Sequence, residues 1–89
     1  MQKRILLVDD ESSLRRSLSV SLGQEGYDVE PCENGIHALK KLYQYKKSNI
    51  QLDSIVLDIR LPDIDGIKLG KIIRSKYSGY RSPSLRLSL

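Results

Sequence analysis

Three aspartates stand where the apolar runs of this 89-residue sequence end, and carboxylates placed there can bind a metal or react with a phosphoryl group. Asp9 and Asp10 follow the run 5–8, and Asp58 follows the run 54–57. Grouped carboxylates repel one another, and a divalent cation such as Mg²⁺, which prefers oxygen ligands, relieves that repulsion. An aspartate can also attack a phosphoryl group to form an aspartyl phosphate. The competing interpretation is that Asp9 and Asp10 only cap the following helix.

The elements that must position these acids alternate along the chain. The two apolar runs are typical of strands buried on both faces, and residues 27–32 predict a shorter strand between them. Gly26 is a helix stop signal, Asn34 a helix cap, and residues 46–52 a polar loop. The predicted apolar positions of three helices are Leu14, Leu18, Leu22; Ile36, Leu39, Leu42, Tyr43; and Ile67, Leu69, Ile72, Ile73.

A strand and a helix that alternate three times predict an α/β fold with a parallel sheet and right-handed crossovers. Functional groups in such folds gather at the carboxyl ends of the strands. Two separate strands therefore deliver Asp9, Asp10 and Asp58 to one edge of the sheet. This convergence favours a metal site over simple helix capping.

Two motifs around these acids resemble the receiver domain of two-component response regulators. Residues 5–11 read ILLVDDE, like the opening strand and acidic pair of that family. Residues 58–66 read DIRLPDIDG, like the stretch that holds its phosphoacceptor. The spacing of the elements agrees from about residue 3 to residue 78. The resemblance implies a flavodoxin-like fold with sheet order 2-1-3-4-5, of which this chain would hold about three to four of the five strands.

The resemblance also implies roles for single residues. Asp58 would be the phosphoacceptor that takes the phosphoryl group from a sensor histidine kinase. Asp10 would bind Mg²⁺ directly and Asp9 through water, while Asp58 and the backbone carbonyl of Arg60 would complete the protein ligands.

The same motif implies that Pro62 and Gly66 shape the loop after the phosphoacceptor, because proline restricts φ and glycine tolerates unusual backbone angles. Beyond it the resemblance weakens, and the family's lysine after the fifth strand has no counterpart. Residues 1–79 are interpreted as the N-terminal part of a receiver domain. Residues 80–89 are expected to be either a fourth strand, with Ser88 as the switch hydroxyl, or the product of a shifted reading frame. The strand would place Arg86 in the middle of the sheet, where an unpaired charge is costly.

These residues predict a phosphoacceptor receiver module of a two-component phosphorelay, which uses Mg²⁺, is not a metabolic enzyme, and is impaired by truncation. The alternative is a receiver-like interaction or assembly module that no longer accepts phosphate. A Mg²⁺-dependent phosphatase is disfavoured because it needs an acid at position 60, which is Arg60. Truncation is also expected to expose a face of the sheet through which the chain self-associates.

Composition excludes several other classes of protein. No apolar run reaches the roughly 18 residues of a membrane span, and the single cysteine, Cys32, forms no intrachain disulfide, so a cytoplasmic location is expected. The net charge is +4, and the basic excess lies in residues 60–89, with seven basic and two acidic residues. These charges are scattered without interleaved aromatic residues, so we expect a solvated surface and no nucleic acid bound by this segment.

Overall fold

Strands and helices alternate strictly in the computed structural model of the chain, which describes residues 2–77 and 83–88, with the side chain of Ser88 left out. The elements are β1 (Arg4–Val8), α1 (Ser12–Gln24), β2 (Asp28–Cys32), α2 (Gly35–Lys47), β3 (Ser54–Asp58), α3 (Gly66–Lys76) and β4 (Ser84–Ser88). The predicted boundary between residues 79 and 80 lies outside the described residues.

The four strands form one parallel sheet in the order β2-β1-β3-β4. Val8 pairs with Cys32 on one side and with Leu57 on the other, so β1 and β2 end at the same level and β3 continues one residue further, to Asp58. This confirms the predicted α/β fold and its parallel sheet. It also brings the acids that follow β1 and end β3 to one edge, because parallel strands share their direction.

One face of the sheet carries the main core, and α2 and α3 cover it. Alternate residues of β1 and β3 point to this face, as the two-residue period of a strand requires. The fully or nearly buried members of the cluster are Leu6, Val8, Cys32, Ala38, Leu42, Leu52, Ile55, Leu57, Leu69 and Ile73. Three of the predicted apolar helix positions, Leu42, Leu69 and Ile73, thus belong to the core.

Other apolar positions predicted for the helices lie at the surface. Ile36, Tyr43 and Ile67 are 55%, 66% and 48% exposed, so these members of the predicted apolar faces are not part of the core. None of the described α1 side chains is buried, and Leu14 is 41% exposed. Helical spacing identifies residues that share one helix face, but it does not show whether another element covers that face.

The ends of α2 differ in how well the sequence predicts them. At the start, the side chain of Asn34 accepts the N–H of His37 at 2.8 Å, which confirms the predicted cap. At the end, the helix continues through Lys47, so the loop predicted for residues 46–52 begins too early. Positive charge at a helix C-terminus is favourable, and Lys46 and Lys47 supply it in the last turn.

β4 occurs where one of the two alternatives for residues 80–89 places it, directly after Pro83. Arg86 pairs with Val56 of β3, but its side chain is exposed: β4 is the outermost strand of the described sheet, and α1 packs on β1 and β2 instead. The predicted desolvation cost of Arg86 is therefore wrong, since it assumed a strand covered on both faces. The charge stands in solvent and opposes pairing of this edge with another chain.

The position of Cys32 gives a first testable prediction. The side chain is 1% exposed at the end of β2, and desolvation raises the pKa of its thiol to about 12. At pH 8 this lowers the reactive thiolate by about three orders of magnitude relative to an unfolded chain, whose thiol pKa is about 8.5. We expect a disulfide reagent to label Cys32 rapidly in denaturant. In the native protein, labelling should be limited by the rate at which the fold opens locally and exposes the thiol. Native labelling as fast as that of a free thiol would contradict the buried position.

Candidate metal centre

The three predicted acids meet at the carboxyl edge of the sheet. One carboxylate oxygen from each of Asp9, Asp10 and Asp58 lies within 4.8 Å of the other two. Asp9 is buried, Asp58 is half-buried and Asp10 is exposed. The group therefore has a protected side toward the protein and an open side toward solvent.

Asp9 is held by its neighbours through both backbone and side chain. Its N–H donates to the carbonyl of Cys32 at 3.0 Å, which extends the pairing of β1 with β2 by one residue. Its Oδ1 accepts the N–H of Glu11 at 2.9 Å and closes a tight turn into α1. Because Asp9 is only 4% exposed, these contacts leave it little freedom to move.

The helix-capping interpretation of the acidic pair fails on these contacts. The N-cap residue of α1 is Glu11, which makes no side-chain capping bond, and the first turn of the helix contains no acidic residue. The Asp9 carboxylate accepts the N–H of the cap residue, Glu11, and not one of the unpaired N–H groups of the first helical turn. Asp10 has no hydrogen bond to α1 among the described residues, so capping does not explain its position.

Asp58 ends β3, and the backbone after it turns back on its side chain. The Oδ1 atom of Asp58 accepts the N–H of Arg60 at 2.9 Å. Gly66 closes the loop by donating its N–H to the carbonyl of Ile59 at 3.1 Å. The side chain of Arg60 is exposed, as is Pro62 further along the loop.

Gly66 is required by space, not by an unusual backbone angle. A Cβ atom at this position would overlap the backbone of Ile59 and would lie 2.6 Å from the carbonyl oxygen of Asp58. Among the described glycines only Gly26 has a positive φ, of 95°. The predicted reason for glycine at position 66 is therefore wrong, because close approach of α3 to the strand end excludes a side chain.

Two further aspartates organise this edge, and only one of them has a local sequence signal. Asp65 caps α3 by accepting the N–H of Ile67 at 2.8 Å, and an aspartate just before a helix is a usual cap. Asp63 accepts the N–H groups of Gly35 and Ile36 at 2.9 and 2.8 Å, so it caps α2 from a different loop. Because Asp63 is 28 residues from Gly35, the sequence around the start of α2 contains no signal for this cap.

The hydrogen bonds at Asp63 also determine its ionisation. Desolvation raises the pKa of this carboxyl, but the backbone N–H groups of Gly35 and Ile36 outweigh it and hold the pKa below its usual range. The carboxylate thus stays charged at neutral pH, where the positive end of α2 favours it. It ties the loop after Asp58 to the start of α2.

The residues of the acidic cluster fit a magnesium ion by their chemistry and their spacing. All three offer hard carboxylate oxygens, which Mg²⁺ prefers at distances of about 2.0–2.1 Å, so ligands on opposite sides of the ion lie about 4.2 Å apart. The oxygens of the cluster lie within 4.8 Å of one another, a separation of the same order, and Asp10 is the exposed member of the three. Among the described residues no other group of three or more such ligands is found.

The backbone of Ser88 lies beside the acidic cluster. The register of β3 and β4 pairs it with Asp58. Its side chain lies outside the described part of the chain, so its role as switch hydroxyl stays a prediction.

A family model described as the response regulator receiver domain matches residues 5–85. The chain belongs to this family. Over 76 residues it is 43% identical to the alkaline phosphatase synthesis transcriptional regulatory protein PhoP of Bacillus subtilis. This match covers 85% of the chain and 30% of PhoP. The chain thus spans under a third of the length of this curated relative.

Solved structures agree with the family and the fold. The response regulator TrrA of Thermotoga maritima, solved with Mg²⁺ and a beryllium fluoride, matches with a TM-score of 0.77 and 33% identity. That match covers 99% of this chain and 88% of TrrA. The chemotaxis response regulator CheY4 of Vibrio cholerae matches with a TM-score of 0.79 and 29% identity over 98% of this chain and 68% of CheY4.

Membership of this family places the chain among signalling modules of two-component systems. The flavodoxin-like receiver fold predicted from the sequence is thereby confirmed. None of the described helices is long and apolar enough to cross a membrane.

Proposed function

We propose that the chain is a phosphoacceptor module, which takes a phosphoryl group on Asp58 from a sensor histidine kinase in the cytoplasm with the help of Mg²⁺. The observation that supports it is the meeting of Asp9, Asp10 and Asp58 within 4.8 Å at the open edge of the sheet. A structural role alone would not favour three carboxylates so close together, because their mutual repulsion is unfavourable.

In the proposed reaction the carboxylate of Asp58 attacks phosphorus. A new O–P bond forms while the bond from phosphorus to the donor nitrogen breaks, and the nitrogen keeps the bonding electrons. The Arg60 N–H donates to Oδ1 of Asp58, and Oδ2, which has no described hydrogen bond, is proposed as the attacking oxygen. Bound Mg²⁺ would neutralise charge on the phosphoryl oxygens. Asp10 would bind it directly and Asp9 through water, with Asp58 and the Arg60 carbonyl as further ligands.

The test is the intact mass of the chain after incubation with acetyl phosphate and Mg²⁺. We expect one phosphoryl group on the wild-type chain and none on Asp58→Asn, which keeps the size of the side chain but removes the nucleophile. Chelation of Mg²⁺ should abolish the transfer. A wild-type chain that folds but takes up no phosphoryl group would instead favour an interaction module that works without phosphate.

We also propose that the chain self-associates through the sheet face beside α1. A groove on this face is lined by apolar side chains that include Leu18, Leu22 and Val56, and also by the charged residues Lys3, Asp53 and Arg86. Helix α1 is the one described helix that packs on this face. A second copy that covers the apolar part of this groove would remove it from water, which is favourable.

Sedimentation equilibrium checks this proposal. The weight-average mass should rise with concentration across tens of micromolar, a range typical of weak interfaces. The variant Val56→Thr, which makes the groove more polar at similar volume, should shift the rise to higher concentration. A compact monomer for both chains throughout the range would contradict the proposal.

A further inference from the structure

The backbone between Asp9 and Asp10 is held by a side chain that the proposed chemistry does not use. The Nη1 atom of Arg15, in the first half of α1, donates to the carbonyl oxygen of Asp9 at 2.8 Å. Asp9 lies between the end of β1 and the start of α1, so neither element supplies a regular partner for this carbonyl. The bond from Arg15 is the one hydrogen bond to this carbonyl among the described residues.

The geometry of the peptide bond makes this contact important for Asp10. The carbonyl of Asp9 and the N–H of Asp10 belong to one planar group, so holding the oxygen fixes the orientation of that plane. The plane fixes where the Cα atom of Asp10 lies, and together with the rotation about its N–Cα bond it sets the direction in which the carboxylate leaves the chain. Asp10 is exposed and has no described hydrogen bond of its own, so it is restrained by the bonds on either side of it: the one from Arg15 to the Asp9 carbonyl and the one from the Glu11 N–H to the Asp9 carboxylate.

We propose that Arg15 is a positioning residue for the cation site: by holding the carbonyl of Asp9, it directs the carboxylate of Asp10 toward those of Asp9 and Asp58. This inference rests on the proposed Mg²⁺ function of the cluster. The interaction is a charge-assisted hydrogen bond, which is stronger than a neutral one. Contacts that orient metal ligands in this way typically change metal affinity about 10–100-fold when they are removed.

The sign of the effect separates positioning from simple electrostatics. A positive guanidinium near the cluster repels a cation, so an Arg15 that acted only through its charge would weaken Mg²⁺ binding, and its removal would tighten it. A positioning role predicts the reverse. The substitution Arg16→Ala is the matched control, because it removes the same charge from the next position of α1. Arg16 is exposed and makes no described hydrogen bond to Asp9.

The experiment is calorimetric titration of the free protein with Mg²⁺, accompanied by thermal unfolding without metal. We expect the dissociation constant to rise roughly tenfold in Arg15→Ala. It should rise only a few-fold in Arg15→Lys, which keeps the charge but not the forked geometry. In Arg16→Ala it should be unchanged. An Arg15→Ala chain that folds and binds Mg²⁺ as tightly as wild type, or more tightly, overturns the proposal.

Two further outcomes are also decisive. If Arg15→Ala fails to fold, Arg15→Lys decides, and wild-type affinity in that variant overturns the proposal. If the wild-type chain itself binds no Mg²⁺, the proposed function of the cluster fails and this inference fails with it. If wild type binds Mg²⁺ and only the Arg15 variants show no change, the site stands and the positioning role alone is wrong.

Discussion

Replacing Asp10 by asparagine should abolish stabilisation of the chain by Mg²⁺ without weakening the metal-free fold. A ligand that binds only the folded chain stabilises it by about 2.7 kcal/mol at one hundred times its dissociation constant, which for a domain of this size raises the Tm by roughly 10–20 °C. In the proposed site the variant lacks a direct ligand, so we expect at least a hundredfold weaker binding and little change in Tm at the same concentration.

The metal-free state should respond in the opposite direction. Asp10 is exposed and lies within 4.8 Å of two other carboxylates, so removing its charge relieves repulsion of about 1 kcal/mol from each of them at the dielectric constant of water. Glu11→Gln is the control, because it removes a neighbouring negative charge that is not part of the cluster. An Asp10→Asn variant whose Tm rises with Mg²⁺ as much as that of wild type would show that Asp10 is not a ligand.

The second large effect is expected at Gly66, where even a methyl group has no room. In Gly66→Ala the new Cβ would overlap the backbone of Ile59 and crowd the carbonyl of Asp58, and backbone cannot move aside as a flexible side chain can. Overpacking of this kind costs about 3 kcal/mol, a large part of the stability of a small domain. We expect the Tm to fall by more than 10 °C in thermal unfolding.

Gly23→Ala is the matched control for this substitution. Gly23 lies near the end of α1, and a Cβ there would meet nothing within 4 Å. Alanine favours a helix over glycine by roughly 0.5–1 kcal/mol, so this variant should be slightly more stable than wild type. Equal stability of the Gly66→Ala chain and wild type would contradict the close approach of α3 to the end of β3.

The sequence predicted the acidic cluster well because its signals are local. Apolar runs that end in aspartate identify buried strands, and the parallel direction of those strands brings their ends together without further information. The cap at Asn34 and the stop at Gly26 were predicted for the same reason. Each depends on residues within one turn of the helix concerned.

The features that escaped prediction depend on contacts distant in sequence or on what covers a surface. Asp63 caps a helix 28 residues before it, and the space that excludes a side chain at Gly66 belongs to the backbone near Ile59. Arg86 was expected to be costly because a strand alone does not reveal whether it lies at the edge of a sheet. Ile36 and Tyr43 have core spacing, yet no element covers them among the described residues.

The most direct test of the proposed function is to find which residue carries the phosphoryl group. After treatment with acetyl phosphate and Mg²⁺, reduction with borohydride converts a phosphorylated aspartate to homoserine, and peptide mass spectrometry then locates the change. We predict homoserine at position 58 and at no other aspartate, with none formed when Mg²⁺ is chelated. Homoserine at Asp9 or Asp10, or a phosphoryl group that stays on Asp58→Asn, would contradict the assignment of Asp58 as the phosphoacceptor.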